Sequence, residues 1–169
     1  MGPRPRWPFF PRTGRFNRMS QSAPASLKKT PLNARHRSLG ARMVEFGGWD
    51  MPVQYRGLVE EHHAVRTKAG LFDVSHMGEL FVEGPGALQL LQDLTPTDVA
   101  KLAPGRAHYT SFLTERGTFV DDLLVYRLSA DRFMVVANAS NRAKDFQWLQ
   151  DGLRRLGPTL PGPCALTDS

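Results

Sequence analysis

The stretch AHYTSFLTERGTFVDDLLVYRLSADRFMVVAN, residues 107–138, decides how this chain folds. Residues 107–114 and 118–128 are rich in β-branched and aromatic side chains, and Glu115-Arg116-Gly117 between them is the short glycine-bearing connection of a hairpin. Ser129-Ala130-Asp131 is a second turn and residues 132–138 read as a third strand, so the stretch predicts an antiparallel meander. Toward the C-terminus, Ser140 is placed to cap a helix with the apolar stripe Phe146, Leu149, Leu153 and Leu156, stopped by Gly157-Pro158. Toward the N-terminus, Leu88, Leu91 and Leu94 mark another helix, and residues 80–83 a strand ending at the Gly84-Pro85-Gly86 turn. Leu58, His62, Val65 and Ala69 share one face of a helix closed by Gly70. Residues 43–46 form a short strand ended by Gly47-Gly48, and Thr30-Pro31 read as the cap and first position of a helix stopping at Gly40. Helices interspersed among adjacent antiparallel strands predict an α+β domain, with a meander or Greek-key-like sheet and flanking helices. There is no internal repeat.

The bulk numbers narrow the function. At 169 residues there is room for one domain with a real core, and 41% apolar with 22% charged residues is ordinary for a globular chain. Cys164 is the only cysteine, which excludes an internal disulfide framework and a cysteine-rich zinc site, and predicts an unpaired thiol in a reducing compartment. The net charge of +6 suggests nucleic acid until the charges are located. Residues 1–44 hold ten Lys and Arg and no acid, whereas residues 45–169 hold twelve against sixteen acids. The excess belongs to the first quarter, and a folded body with a net −4 predicts no nucleic-acid partner. No apolar run approaches the ~20 residues of a membrane span, so no membrane partner is expected.

Residues 1–29, basic and without periodicity, read as a disordered extension, residues 30–157 as the domain and residues 158–169 as an irregular tail. Residues 1–18 are rich in arginine and free of acids. They fit either a mitochondrial presequence, against which their four prolines speak, or an extension upstream of a second start at Met19. The expected location is therefore the cytoplasm, with the mitochondrial matrix as the alternative.

Chemistry-bearing residues are few. Asp121 and Asp122 interrupt an otherwise apolar strand and, because side chains alternate, point to opposite faces, so they cannot share a proton with each other. Both faces are apolar, so at least one carboxylate enters a covered environment and needs a partner there. That partner is either nearby backbone N–H groups or a ligand carrying N–H groups or developing positive charge. His62 and His63 are adjacent and diverge by ~100° on a helix, and neither has a histidine four residues away, so no metal is expected. His62, on the apolar face, reads as a hydrogen-bonded core histidine. Ser75-His76 lacks the nucleophile-elbow pattern, and Gly84-Pro85-Gly86 lacks the spacing of a phosphate loop.

Several blocks occur together in order: Thr30-Pro31-Leu32; GARMVEFGGW at 40–49; MPVQY at 51–55; EHHAVR at 61–66; AGLFDVSHMGE at 69–79; Asp98-Val99-Ala100; DDLLVY at 121–126; and VVANAS at 135–140 with Lys144-Asp145. Over roughly residues 30–150 this series resembles the opening of the aminomethyltransferases of the glycine cleavage system. The resemblance implies an enzyme that moves a one-carbon unit from the aminomethyl-lipoyl arm of a carrier protein to tetrahydrofolate, releasing ammonia. It implies tetrahydrofolate as co-substrate, no metal, and the lipoyl carrier protein as partner. Carried over residue by residue, it places Asp121 against the folate as the catalytic carboxylate, with Met77, Tyr109 and Asn138 in the folate pocket. Family members are about twice this length, so the expectation is a truncated chain with weak folate affinity and no turnover of its own. Two alternatives stay open: a folate-binding module of an RNA-modification factor or of a dimethylglycine- or sarcosine-oxidising enzyme, and a non-catalytic remnant.

Overall fold

The computed structural model describes residues 26–169. In chain order the elements are α1 (Asn33–Ser38), β1 (Arg42–Phe46), β2 (Trp49–Gln54), α2 (Leu58–Thr67), β3 (Gly78–Glu83), α3 (Ala87–Leu94), β4 (Arg106–Leu113), β5 (Phe119–Arg127), β6 (Arg132–Ala137), α4 (Arg142–Leu156) and β7 (Ala165–Asp168). β1 and β2 make a separate antiparallel hairpin through Gly47-Gly48. The other five strands form one sheet in the order β4-β5-β6-β3-β7, and every pair in it is antiparallel. The predicted β4–β5–β6 meander is present, and β3 returns beside β6 to complete a Greek-key order.

Alternation along the strands explains which face is covered. Leu80 and Val82 of β3, Phe112 of β4, Leu123 and Val125 of β5, and Phe133 and Val135 of β6 are buried on one face. Against them pack Leu90, Leu91 and Leu94 of α3 and Leu149 of α4, forming one core. Each such side chain contributes about 1.5–3 kcal/mol by leaving water. Gly152 lets α4 close on α3, since a Cβ there would come 2.7 Å from a methyl of Leu94. The opposite sheet face is half-exposed, with Leu124, Tyr126, Met134 and Val136 partly open.

Several expectations need correction. The stretch 158–169 is not irregular throughout, because β7 pairs with β3 from Leu80↔Asp168 to Glu83↔Ala165, and Arg142 of α4 pins it through an ion pair to Asp168. Residues 1–25 of the predicted disordered extension lie outside the described residues, but Lys28 bridges Trp49 and stacks its ammonium over that indole. Thr30 does not use its side chain as a helix cap; the hydroxyl donates to Asp73 at 2.7 Å, drawn off by a buried carboxylate. Asn141, not Ser140, precedes α4. α2 forms where predicted yet buries no residue, and its His62 is exposed, so it is not a core histidine. Among the described residues no helix is long and apolar enough to cross a membrane.

Candidate functional site

The register of the sheet assembles a row of polar and soft side chains on its uncovered face. Ser111 of β4 pairs with Asp122 of β5. Leu124 pairs with Val136, so extending that antiparallel register by two residues sets Asp122 opposite Asn138. Gly78 pairs with Ala137, so Met77 stands one residue further, opposite Asn138. Directly opposed residues of an antiparallel pair share a face, which gives the row Ser111, Asp122, Asn138, Met77, with Ser111 buried at its β4 end and Asn138 and Met77 just outside the ends of β6 and β3. Tyr109 lies two residues from Ser111 on the same side and donates its hydroxyl to Asp122 Oδ2. That hydrogen bond, then burial and the charges of Asp122 and Asp121, push the Tyr109 phenol up. Tyr109 is 66% exposed and Asp122 is exposed, so both are open to a ligand. A cavity of about 650 Å³ at edge strand β4 is lined by Tyr109, Ser111, Phe119, Val120 and both aspartates.

Asp121 turns the other way, as strand alternation requires, and is buried beneath α4. Asn141 Nδ2 donates to its Oδ1 at 2.8 Å. The Asn138 amide lies 3.2–3.3 Å from both of its oxygens, 2.9 Å from the Asp122 carbonyl and 3.3 Å from Asp122 Oδ1. Asn138 therefore ties the buried aspartate to the exposed one. Lys144 Nζ donates to the Val120 carbonyl at 2.6 Å, fixing the start of β5 to α4. Of the residues expected to form the site, Tyr109, Asn138 and Met77 share the open face, whereas the Asp121 carboxylate sits behind it. Its neighbour Asp122 occupies the place in the row.

In the sequence Asp145 stands out only as part of the Lys144-Asp145 block, and the structure gives it a far stronger signature. It is wholly buried in the first turn of α4, and neither carboxyl oxygen receives an N–H or O–H from the described residues. Burial pushes its carboxyl up to about 8, helped by a hydrogen bond to Asp121 and by the charge there, with Lys144 opposing and Asp122 adding a little. A signal existed: Asp145 falls four residues before Leu149, on the apolar stripe of α4.

A second polar network lies away from the sheet. His36 Nε2 is 2.8 Å from Asp73 Oδ2 and its Nδ1 is 2.7 Å from the Tyr55 hydroxyl, while Thr30 and the Ser75 amide donate to the same aspartate. Burial opposes the Asp73 charge, but the hydrogen bonds from His36, Ser75 and Thr30 prevail and hold its carboxyl well below the usual range. This network ties α1 and β2 to the 73–75 segment. Beside it, Leu58, Val65, Leu71 and Phe72 line an apolar cavity of about 690 Å³. Among the described residues no group of three His, Cys, Asp or Glu could hold a metal ion.

The model of a family described as the GCVT N-terminal domain matches residues 32–168. An aminomethyltransferase of Acidobacterium capsulatum is 56% identical over 132 residues, covering 78% of this chain and 35% of that protein. One of Deinococcus deserti is 54% identical over 142 residues, covering 84% and 40%. The crystal structure of glycine cleavage system aminomethyltransferase T from Bartonella henselae superposes with a TM-score of 0.77 at 40% identity, covering 85% of this chain and 38% of that one. The chain thus spans little more than a third of the length of the relatives it matches.

Proposed function

The chain belongs to the family of the GCVT N-terminal domain, and from that premise we propose that it forms the pterin-holding wall of an aminomethyltransferase of the glycine cleavage system. The observation that carries this reading is the cross-sheet row of Asp122, Asn138 and Met77 with Tyr109 beside it. Such a set suits a flat heterocycle edged with N–H groups: a carboxylate to accept, an amide fixed against it, and a thioether and a phenol ring to lie along the ring face. Tetrahydrofolate, when bound, supplies the nitrogen that takes up the one-carbon unit and gains positive charge as it does so. Asp122 is the anion that offsets that charge. The Tyr109 hydroxyl and the Asn138 amide hold its carboxylate in place beforehand, so that no reorganisation is needed as charge develops. We therefore assign the ligand-facing role to Asp122, and to Asp121 the task of holding Asn138 from behind.

The aminomethyl donor would be the lipoyl arm of the carrier protein, with the relatives' remaining length completing the site. A cytoplasmic site of action is part of the same reading and is supported by the bacterial source of the relatives. The test is nuclear magnetic resonance of the full chain titrated with tetrahydrofolate kept reduced. Saturable shifts at the Met77 methyl and the Asn138 side-chain amide, lost in Asp122→Asn, are expected. Shifts confined to the Leu58–Phe72 cavity, or unchanged by that substitution, would overturn the assignment.

A further inference from the structure

Behind the row, the carboxyl groups of Asp121 and Asp145 lie within hydrogen-bonding reach of each other, and both residues are buried. Asp121 is 8% exposed and Asp145 0%. Asp121 comes from β5 and Asp145 from the first turn of α4. The other charged groups near them are Asp122, on the far face of β5, and Lys144, whose ammonium is committed to the Val120 carbonyl. Two carboxylates in contact inside a protein cannot both stay ionised, because their repulsion is unscreened and each also loses its hydration. Their surroundings decide which one keeps the proton. Asp121 accepts from the Asn141 amide at 2.8 Å and from the Asn138 amide, and these donors stabilise a charge. Asp145 accepts from nothing among the described residues, and the carboxylate within its reach, Asp121, is itself an acceptor. A buried carboxyl in that position can satisfy itself only by donating.

We propose that Asp145 is a positioning residue that carries the single proton of an Asp121–Asp145 acid pair and donates it to Asp121. The Asp121 anion in turn fixes the Asn138 amide against Asp122. The row on the open face is thereby tied, through two aspartates and one asparagine, to the first turn of α4. The proton also keeps Asp145 neutral behind a face that already carries two other aspartates. Loss of that proton would put a third negative charge behind the ligand face and loosen the acceptor that orders Asn138.

This inference builds on the proposed ligand face, but the titration that tests it is run without folate. The full chain, labelled with carbon-13 at the aspartate carboxyl carbons, is titrated between pH 4 and pH 10. One aspartate resonance keeps the shift of a neutral acid at pH 6.5 and ionises near pH 8, and the Asn138 and Asn141 side-chain amides move with the same midpoint. In Asp145→Asn, which keeps an N–H donor toward Asp121, the resonance and the amide transition both vanish while the amides keep their low-pH positions. If every aspartate ionises below pH 6 in the unsubstituted chain, the proposal fails whatever the variant does. It fails equally if the amide transition near pH 8 survives in Asp145→Asn. Should tetrahydrofolate leave Met77 and Asn138 untouched while this titration holds, the ligand reading falls and the acid pair stands; the converse result removes the pair alone.

Discussion

Replacing Asp145 by asparagine should flatten the pH dependence of stability in a direction opposite to ordinary acid denaturation. An aspartate in the unfolded chain ionises near 3.8, whereas burial beside Asp121 pushes the folded Asp145 up to about 8. Between those values the folded chain holds a proton that the unfolded chain has released. Stability must therefore fall as pH rises, by about 1.4 kcal/mol per unit for one full proton. The contribution is fully present below pH 4 and is lost once pH has passed the folded value. From pH 5 to pH 7 the loss from this one group approaches about 2.7 kcal/mol, a large share of a typical domain's stability. His108 acts with the opposite sign, since burial lowers its pKa and its contribution is lost as pH falls through that lowered value. The quantity to measure is therefore the difference between the chain and Asp145→Asn, in which His108 cancels. Urea unfolding followed by circular dichroism at pH 5, 6, 7 and 8 provides it. The variant should gain on the parent by roughly 1 kcal/mol per unit, overtaking it toward pH 8. Parallel curves for the two proteins would refute both the buried charge state and the direction of proton uptake.

Other expectations follow from specific contacts. Gly84→Ala should lower stability by about 1–3 kcal/mol, because φ there is +111° and a Cβ would meet the Pro163 carbonyl oxygen at 2.5 Å. Gly40→Ala, at φ +77° with open space around it, should cost less, and a pair of thermal melts with hydrogen exchange at Leu166 compares them. Asp121→Asn should destabilise the fold by about 1–3 kcal/mol, since it sets an amide against the Asn138 and Asn141 donors, while Asp122→Asn should leave the melting temperature within a degree or two. Equal losses from the two substitutions would contradict the assignment of one aspartate to each sheet face. Deleting residues 1–18, which carry no periodic apolar face, should leave the melt unchanged, and a drop of more than a few degrees would show that they pack on the domain.

How much was legible in the sequence differs by element, for physical reasons. The β4–β5–β6 meander was readable because its strands are β-branched runs punctuated by turns, and their register follows from the alternation. β2 was hidden because it carries Asp50 and Pro52, residues depleted in strands, and survives as half of a two-stranded ribbon. β7 was hidden because Ala165–Asp168 is short and gains its order from β3 and from Arg142, both remote in sequence. The stripe on α2 was correctly periodic, yet periodicity tells that a helix has an apolar side and not what covers it.

The aspartate pair shows the same boundary within the site. That Asp121 and Asp122 point apart was a deduction from strand geometry, and it holds. Which of them faces the covered side could not be deduced, because that depends on the sheet face over which α3 and α4 fold, and both faces of β5 are apolar. Once the helices choose a face, the chemistry divides accordingly. The covered aspartate is met by two asparagine donors and the Asp145 carboxyl, while the open one takes the Tyr109 hydroxyl and the Asn138 amide on the exposed face. Asn138, just past the last residue of β6, touches both. Charge at Asp145 and ligand contact at Asp122 should therefore be coupled through that single amide.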